Sequence, residues 1–359
     1  MLKDSNSFQQ DLPFPIYFVI KDQDHYWDDL LYSDDLPSMS SLQDRVILGK
    51  ETCTILTYVF LKSKKMDVHL TTEFQDEQIC VVSYDDLRIR DFPHNSFVVV
   101  CRADRPKPFI CERCVQFNPS TIHLKTDFYM KMWPLFNLIP RNSLRKSKVE
   151  NISFPGHIIN LDRAFRSPSF YSEIQKLGMK LAISKCDLKN RRANWNDYKN
   201  VDVLLAVRNL TFKDSLVKPS PKLVNAWMAG CPAILGPESA FQDLRKTDLD
   251  YIEVRNTDQA LKALRDLKND HDLYQAMVIN GLNRAMDYAP DIIAQDWVNY
   301  LSGPVVDHYL QWKKGNKQLL PLVRSTRFLY RSIMHKYAAY LHHYNIHYGD
   351  RILDVKTKR

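Results

Sequence analysis

The chain has 359 residues, 45% hydrophobic and 26% charged, with a formal net charge of +8. That length is long for one core and comfortable for two domains of ordinary size, and the balance excludes a disordered or fibrous chain. No charged-then-apolar leader is present, and no apolar run reaches the ~18 residues a membrane helix needs, so the sequence predicts a cytoplasmic protein whose membrane contact is at most peripheral, at the inner face.

In chain order, Ile16–Ile20 reads as a first strand, followed by a long connection rich in Asp and Ser from Lys21 to Leu48. Between Lys50 and Ser63, Ile55, Tyr58 and Val59 recur at near-helical spacing. Asp67–Thr71, Ile79–Ser83 and Phe97–Cys101 then supply three more strands, giving the strand, helix, strand order of a parallel sheet. The polar, basic stretch Pro140–Lys148 marks a break. Beyond it, Ile152–Phe154, Met179–Ile183, Val201–Val207, Pro232–Leu235 and Asp250–Val254 are strand candidates, interleaved with helices at Ser169–Leu177 and from about Pro221 to Ala229. A further helix, with Thr257 as its N-cap, places Ala260, Leu261, Leu264 and Leu267 on one face. These signals predict an α/β protein with domains over residues 1–148 and 149–305 and a helical segment over 306–359 that packs back on the first domain.

Seven cysteines, an odd number at low density, read as reduced thiols. Cys111-Glu-Arg-Cys114 has the spacing of a zinc knuckle, but no second pair follows it and only scattered histidines, His94 and His123 among them, are available to complete a site. No metal and no cofactor are therefore expected.

The densest chemistry lies in Lys218-Pro-Ser-Pro-Lys-Leu-Val-Asn-Ala-Trp-Met-Ala-Gly-Cys-Pro-Ala-Ile-Leu-Gly236. Ser220 is a good N-cap, Pro221 is preset for the first helical position, and Gly230 can take the left-handed turn that ends a helix. The first turn offers N–H groups and a positive dipole end, and Lys222 adds a full charge, which suits a phosphate. The run resembles the donor-site helix of GT-B glycosyltransferases, most closely those of glycosyltransferase family four; its order also resembles, less closely, the donor motif of the inverting α1,3-fucosyltransferases. Asn225 stands where many family-four members hold the nucleotide ribose with a Glu, and Val217 stands where a second Glu is usual.

The resemblance implies a GT-B architecture, two Rossmann-like domains facing each other across a cleft, with C-terminal helices crossing back to the first. It implies transfer of a sugar from a nucleoside diphosphate sugar to a glycan or lipid-linked acceptor, in surface polysaccharide or glycoconjugate synthesis. Candidate donor contacts are Lys222, Ser220, Asn225, and Arg163 and Arg166 in the loop that starts at Gly156. Arg208 joins them, because it ends the strand Val201–Val207 and open α/β sheets bind ligands at that edge. In the first half, Arg102, Asp104 and Arg105 follow a strand directly and face the expected cleft. An inverting reaction needs a general base there; Asp104 is the first candidate and Glu51 a second, while a retaining reaction needs none. Asp104 can equally pair with Arg102 or Arg105.

From His308 to Gly349 the sequence has no Asp or Glu, yet it holds Lys313, Lys314, Lys317, Arg324, Arg327, Arg331 and Lys336 among several aromatic residues. Such a surface can meet anionic lipid headgroups. The alternative is a helical hairpin that packs its aromatic residues on the first domain. No nucleic-acid motif accompanies the basic residues, so no nucleic-acid partner is expected.

Overall fold

The computed structural model describes residues 11–33, 35–43, 45–122, 125–184, 186–187, 191–319 and 321–354. His123 and the side chain of Lys317 lie outside them. The chain forms two compact units, one of Met1–Phe117, Ile122–Lys131 and Pro290–His342, the other of Asn118–Thr121, Met132–Ala289 and His343–Arg359.

In the first unit, β1 (Ile16–Val19), β2 (Val68–Thr71), β3 (Ile79–Ser83), β4 (Phe97–Cys101), β5 (Arg113–Gln116) and β6 (Asp127–Tyr129) make one sheet of order β2-β1-β3-β4-β5-β6. Every pairing in it is parallel. β3 and β4 are buried along their whole length, as a parallel sheet covered on both faces requires. The returning segment supplies part of that cover. Tyr300 stacks on Phe128 with ring centroids 4.2 Å apart, Tyr309 donates to the Glu77 carbonyl at 2.6 Å, and Phe328 joins a core cluster with Val98, Val100 and Ile110.

β5 and β6 escape the sequence reading because their polar residues break any apolar run. Arg113 in β5 is nonetheless buried, donating to the Lys125 carbonyl at 2.9 Å with its guanidinium 3.1 Å from His308. Cys114 belongs to this strand, while Cys111 lies in the turn before it. Burial pushes both thiols up, that of Cys111 to about 12.

In the second unit, β7 (Asn151–Phe154), β8 (Lys180–Ile183), β11 (Val203–Ala206), β12 (Ala233–Leu235) and β13 (Ile252–Glu253) form a parallel sheet of order β13-β12-β11-β7-β8. A separate hairpin pairs β9 (Cys186–Asp187) with β10 (Arg192–Ala193). Counted within each unit, both parallel sheets share one doubly wound order: second strand, first, third, fourth, fifth. The order reverses between first and third strands, so each sheet has a switch point there, β1/β3 in one and β7/β11 in the other. The α/β class expected from the sequence therefore holds in both units.

The stretch Pro140–Lys148, expected to separate domains, is instead clamped inside the second unit. Asp202, fully buried just ahead of β11, takes Arg145 Nε at 2.7 Å, Arg141 at 2.8 Å, and the backbone N–H groups of Glu150 and Asn151 at 2.9 Å each. The helix Thr257–Asn269 is capped by Asn256, whose side chain accepts from Gln259 N–H, so Thr257 is already its first helical residue.

Burial alone would raise the pKa of Asp202, but the bonds from Arg145, the two N–H groups and Arg141 hold it below the ordinary carboxylate value. A depressed carboxylate contributes stability that is complete above its unfolded pKa, near 4, and is lost as pH falls through the lower folded value. Asp202→Asn should therefore lower the unfolding free energy by about 3–5 kcal/mol, because it strips the carboxylate from the largely buried guanidinium of Arg141 and from the partly exposed one of Arg145. Urea unfolding at neutral pH checks this, and a variant within about 0.5 kcal/mol of the parent would show that solvent satisfies those groups.

Candidate functional site

Three loops meet at the carboxyl ends of the second unit's strands. The first follows β7 through Pro155-Gly156-His157, the second follows β11 through Val207-Arg208-Asn209, and the third follows β12 through Gly236-Pro237-Glu238. The first two are stitched together: Asp162 N–H donates to the Val207 carbonyl and Asn209 N–H to the Asn160 carbonyl, each at 2.9 Å, and Leu161 bridges to Arg208. Arg163 and Arg166 ride on this stitched loop. Arg163 is exposed, and Arg166 reaches the Ile158 carbonyl at 3.4 Å.

The helix expected from the sequence is present as Pro221–Ala229, with Gly230 in the left-handed turn at φ 67° that ends it. Its placement depends on distant partners. Trp227 Nε1 donates to the Asp250 carbonyl at 2.8 Å, and Gly281 lets the helix His271–Ala285 approach, since a Cβ there would lie 2.9 Å from Trp227. Ser220 holds the N-cap position, but its hydroxyl caps nothing. Instead its carbonyl takes the N–H groups of Leu223 and Val224, so the first turn has fewer open donors than the sequence promised. Asn225 is 5% exposed and its Oδ1 accepts Leu135 N–H at 3.0 Å. That amide oxygen is tied to backbone.

Lys222 runs from the helix start to the end of β7. Its ammonium donates to the Pro155 carbonyl and lies 5.2 Å from the centre of the Phe154 ring. Gly156 makes room: a Cβ on it would fall 3.3 Å from Lys222 Nζ and 3.2 Å from the Phe154 ring. Burial first, and then the charge of Arg208, draw the Lys222 pKa down to about 7, with Glu238 acting in the opposite direction. Arg208 grips Glu238 with two bonds, Nε to Oε1 at 2.9 Å and a second from its other nitrogen to Oε2. Glu238 is only 1% exposed. Among the described residues the cluster therefore brings the cationic side chains of Lys222 and Arg208 together with the carboxylate of Glu238 at the switch-point end of a parallel sheet, where open α/β sheets take their ligands. An anion that arrives there restores the balance.

Glu238 is the residue the sequence reading missed. Its signal is its place, directly after β12 at the same edge as Arg208. Asn118 holds the loop before the helix, donating to the Lys218 carbonyl at 3.0 Å and to Ser239 Oγ at 3.1 Å.

The remaining candidates belong to the first unit. Arg102 folds back onto the Arg105 carbonyl at 2.8 Å, and burial lowers its pKa. Arg105 pairs with Asp85 at 2.7 and 3.0 Å. Asp104 is half-buried in a turn where Ala103 takes a positive φ of 49°. Glu51 is buried at the start of a helical run over 49–63 that contains a π-helical segment, Thr52–Leu56. One of its oxygens accepts the N–H groups of Ile47 and Leu48 at 3.0 and 2.9 Å. A carboxylate oxygen so engaged fixes a helix start. Nearby, Lys50 bonds the buried Asp86 at 3.0 Å.

No family model matches this sequence, and no curated protein does. Among solved structures the chain is similar to an α1,3-fucosyltransferase, at 10% identity over 77% of this chain and 83% of that one, with a TM-score of 0.43. It is also similar to a TarM mutant of S. aureus in complex with fondaparinux, α-GlcNAc-glycerol and UDP, at 10% identity over 70% and 59% and a TM-score of 0.46. A third is HepE of Anabaena in complex with UDP and glucose, at 9% identity over 85% and 100% and a TM-score of 0.39.

Gly156→Ala should destabilise the protein by about 1–3 kcal/mol, the usual cost of an extra methyl in a filled space, because Phe154 and the Lys222 ammonium must both give way. An unchanged urea midpoint would show that the ammonium simply swings aside.

Proposed function

We propose that the chain is a glycosyltransferase of the GT-B kind that binds the diphosphate of a nucleoside diphosphate sugar at Lys222 and Arg208 and passes the sugar to a glycan or lipid-linked acceptor. The observation that carries this reading is the pair of cations gathered with a single carboxylate at the β7/β11 switch point. The residue run around Lys222 supports it, by its resemblance to the donor-site helix of that family. As the bond to the sugar breaks, negative charge grows on the departing diphosphate, and positioned cations stabilise it more than they stabilise the bound donor. These side chains supply positive charge themselves, so the reading needs no metal. Arg163 and Arg166, on the loop joined to Arg208, extend the same positive surface toward a second phosphate. If the reaction inverts configuration, Asp104 is the proposed base; if it retains configuration, none is needed.

A donor site without turnover is the second reading. It is favoured by Asn225, whose amide is spent on Leu135 where relatives carry a ribose-binding carboxylate. A GDP-sugar enzyme like the fucosyltransferases is a variant of the first reading.

A panel of UDP-, GDP- and ADP-sugars, followed by thermal shift and by sugar transfer, separates these readings. Binding with transfer supports the first, binding without transfer across a broad acceptor panel supports the second, and no binding at all removes both. Lys222→Ala should weaken nucleoside diphosphate binding by about 1.5–3 kcal/mol, the range for a hydrogen bond to a charged group. Because the free lysine is half discharged near pH 7, binding at higher pH must recharge it. Affinity should therefore fall as pH rises from 7 to 9, by up to about tenfold per unit, with proton uptake on binding. Calorimetry in two buffers of different ionisation enthalpy measures that uptake, and a flat pH profile would remove Lys222 from the site.

A further inference from the structure

The helix Pro321–Tyr348 runs 28 residues, and its two faces differ in kind. The inward face is settled in the first unit. Phe328, Ser332 and His335 are buried, His335 Nδ1 accepts Phe109 N–H at 3.3 Å, Arg331 bonds Glu112 at 2.6 Å, and Arg324 bonds Asn95 at 2.9 Å. On the outward face Leu322, Leu329, Tyr330, Ile333, Tyr337 and Tyr340 recur at helical spacing and form a stripe about 27 Å long at 1.5 Å per residue. They are far from core-like: Leu329 is 61% exposed, Ile333 58% and Tyr340 65%. An apolar stripe of this length is uncommon on a surface that meets only water.

The charges beside it point to the occupant. The helix carries no acidic residue, nor does any position from 308 to 349. The inward arginines are engaged, whereas Arg327 and Lys336 are exposed at the margins of the stripe and make no ion pair among the described residues. Arg327 also lines a cavity with Arg324, Arg331 and Glu112. Two copies meeting through this face would bring like charges together, while an anionic bilayer offers opposite charge and an apolar interior at once. Tyrosine, amphipathic in itself, favours that boundary. No helix among the described residues is long and apolar enough to cross a membrane.

We propose that the outward face of the helix Pro321–Tyr348 is an interfacial membrane-docking surface, which lies along an anionic lipid bilayer with its Leu, Ile and Tyr side chains at the acyl boundary and Arg327 and Lys336 among the headgroups.

The test is sedimentation of the full chain with vesicles of phosphatidylcholine alone or mixed with phosphatidylglycerol. Binding to the mixed vesicles should be at least about tenfold tighter and should weaken as salt rises. The double variant I333E/Y337E should lose about tenfold or more of that binding, and R327E/K336E should lose the preference for phosphatidylglycerol. All four positions are exposed, so circular dichroism and melting temperature should stay unchanged; Tyr340→Ser, with a smaller expected loss, serves if a double variant misfolds. Equal or absent sedimentation with both vesicle types would overturn the proposal, as would variants that bind like the parent. A dimer in solution that I333E/Y337E splits, without vesicle binding by the parent, would assign the face to a second copy instead. Salt-sensitive binding to RNA or DNA in place of vesicles would assign it to nucleic acid.

Discussion

The buried carboxylate of Asp202 is the contact on which the second unit depends. It stands just ahead of β11, takes the N–H groups that precede and open β7, and holds Arg141 and Arg145. β7 and β11 are neighbours, with Ile152 paired to Val203 and Ser153 to Leu204. One anion therefore fixes the register of two strands at their amino ends, and the loops at their carboxyl ends inherit that register. The positions of Gly156 and Arg208 are set from the far side of the sheet, by a residue that touches neither. A slip of one residue in either strand would turn its side chains to the other face and separate them.

The opposite end of the same strands works by imbalance. Asp202 gathers two guanidinium groups and two N–H donors around one negative charge and leaves little unmet. At the other cluster, Lys222 and Arg208 share buried surroundings with the carboxylate of Glu238, which Arg208 bonds. A structural ion pair would be built like the first cluster, whereas a site built to receive an anion resembles the second. Burial first, and the charge of Arg208 second, lower the proton affinity of Lys222.

Much of this was legible in the sequence. The apolar runs of β1, β3 and β4 and the helix Pro221–Ala229 stand out because propensity, spacing and end signals agree there: Pro221 at the start, Gly230 at φ 67° at the end. What escaped depends on partners remote in the chain. β5 carries Arg113 and Gln116, which suit a buried strand only because Lys125 and the helix Pro304–Gln318 bring partners to Arg113. Arg141 and Arg145 look like linker residues until Asp202, about sixty positions away, is placed beside them. Asn225 and Glu51 each give one side-chain oxygen to backbone N–H groups, those of Leu135 and of Ile47 and Leu48, that their sequence neighbours do not reveal. Glu238 had no motif to announce it. Residue type suggests what a group can do, and only the fold decides which of its lone pairs are already taken.

Neither unit is built from one continuous stretch. The first sheet waits for Pro290–His342 to complete its cover. In the second unit residues 350–352 pair with residues 210–212, where Phe212 N–H bonds the Asp350 carbonyl at 2.8 Å and Ile352 N–H bonds the Leu210 carbonyl at 2.9 Å, just upstream of the helix that carries Lys222. During translation the amino-terminal strands emerge long before the segments that close them. The order of ribosomal delivery thus brings each half its closing segment only after all of its strands.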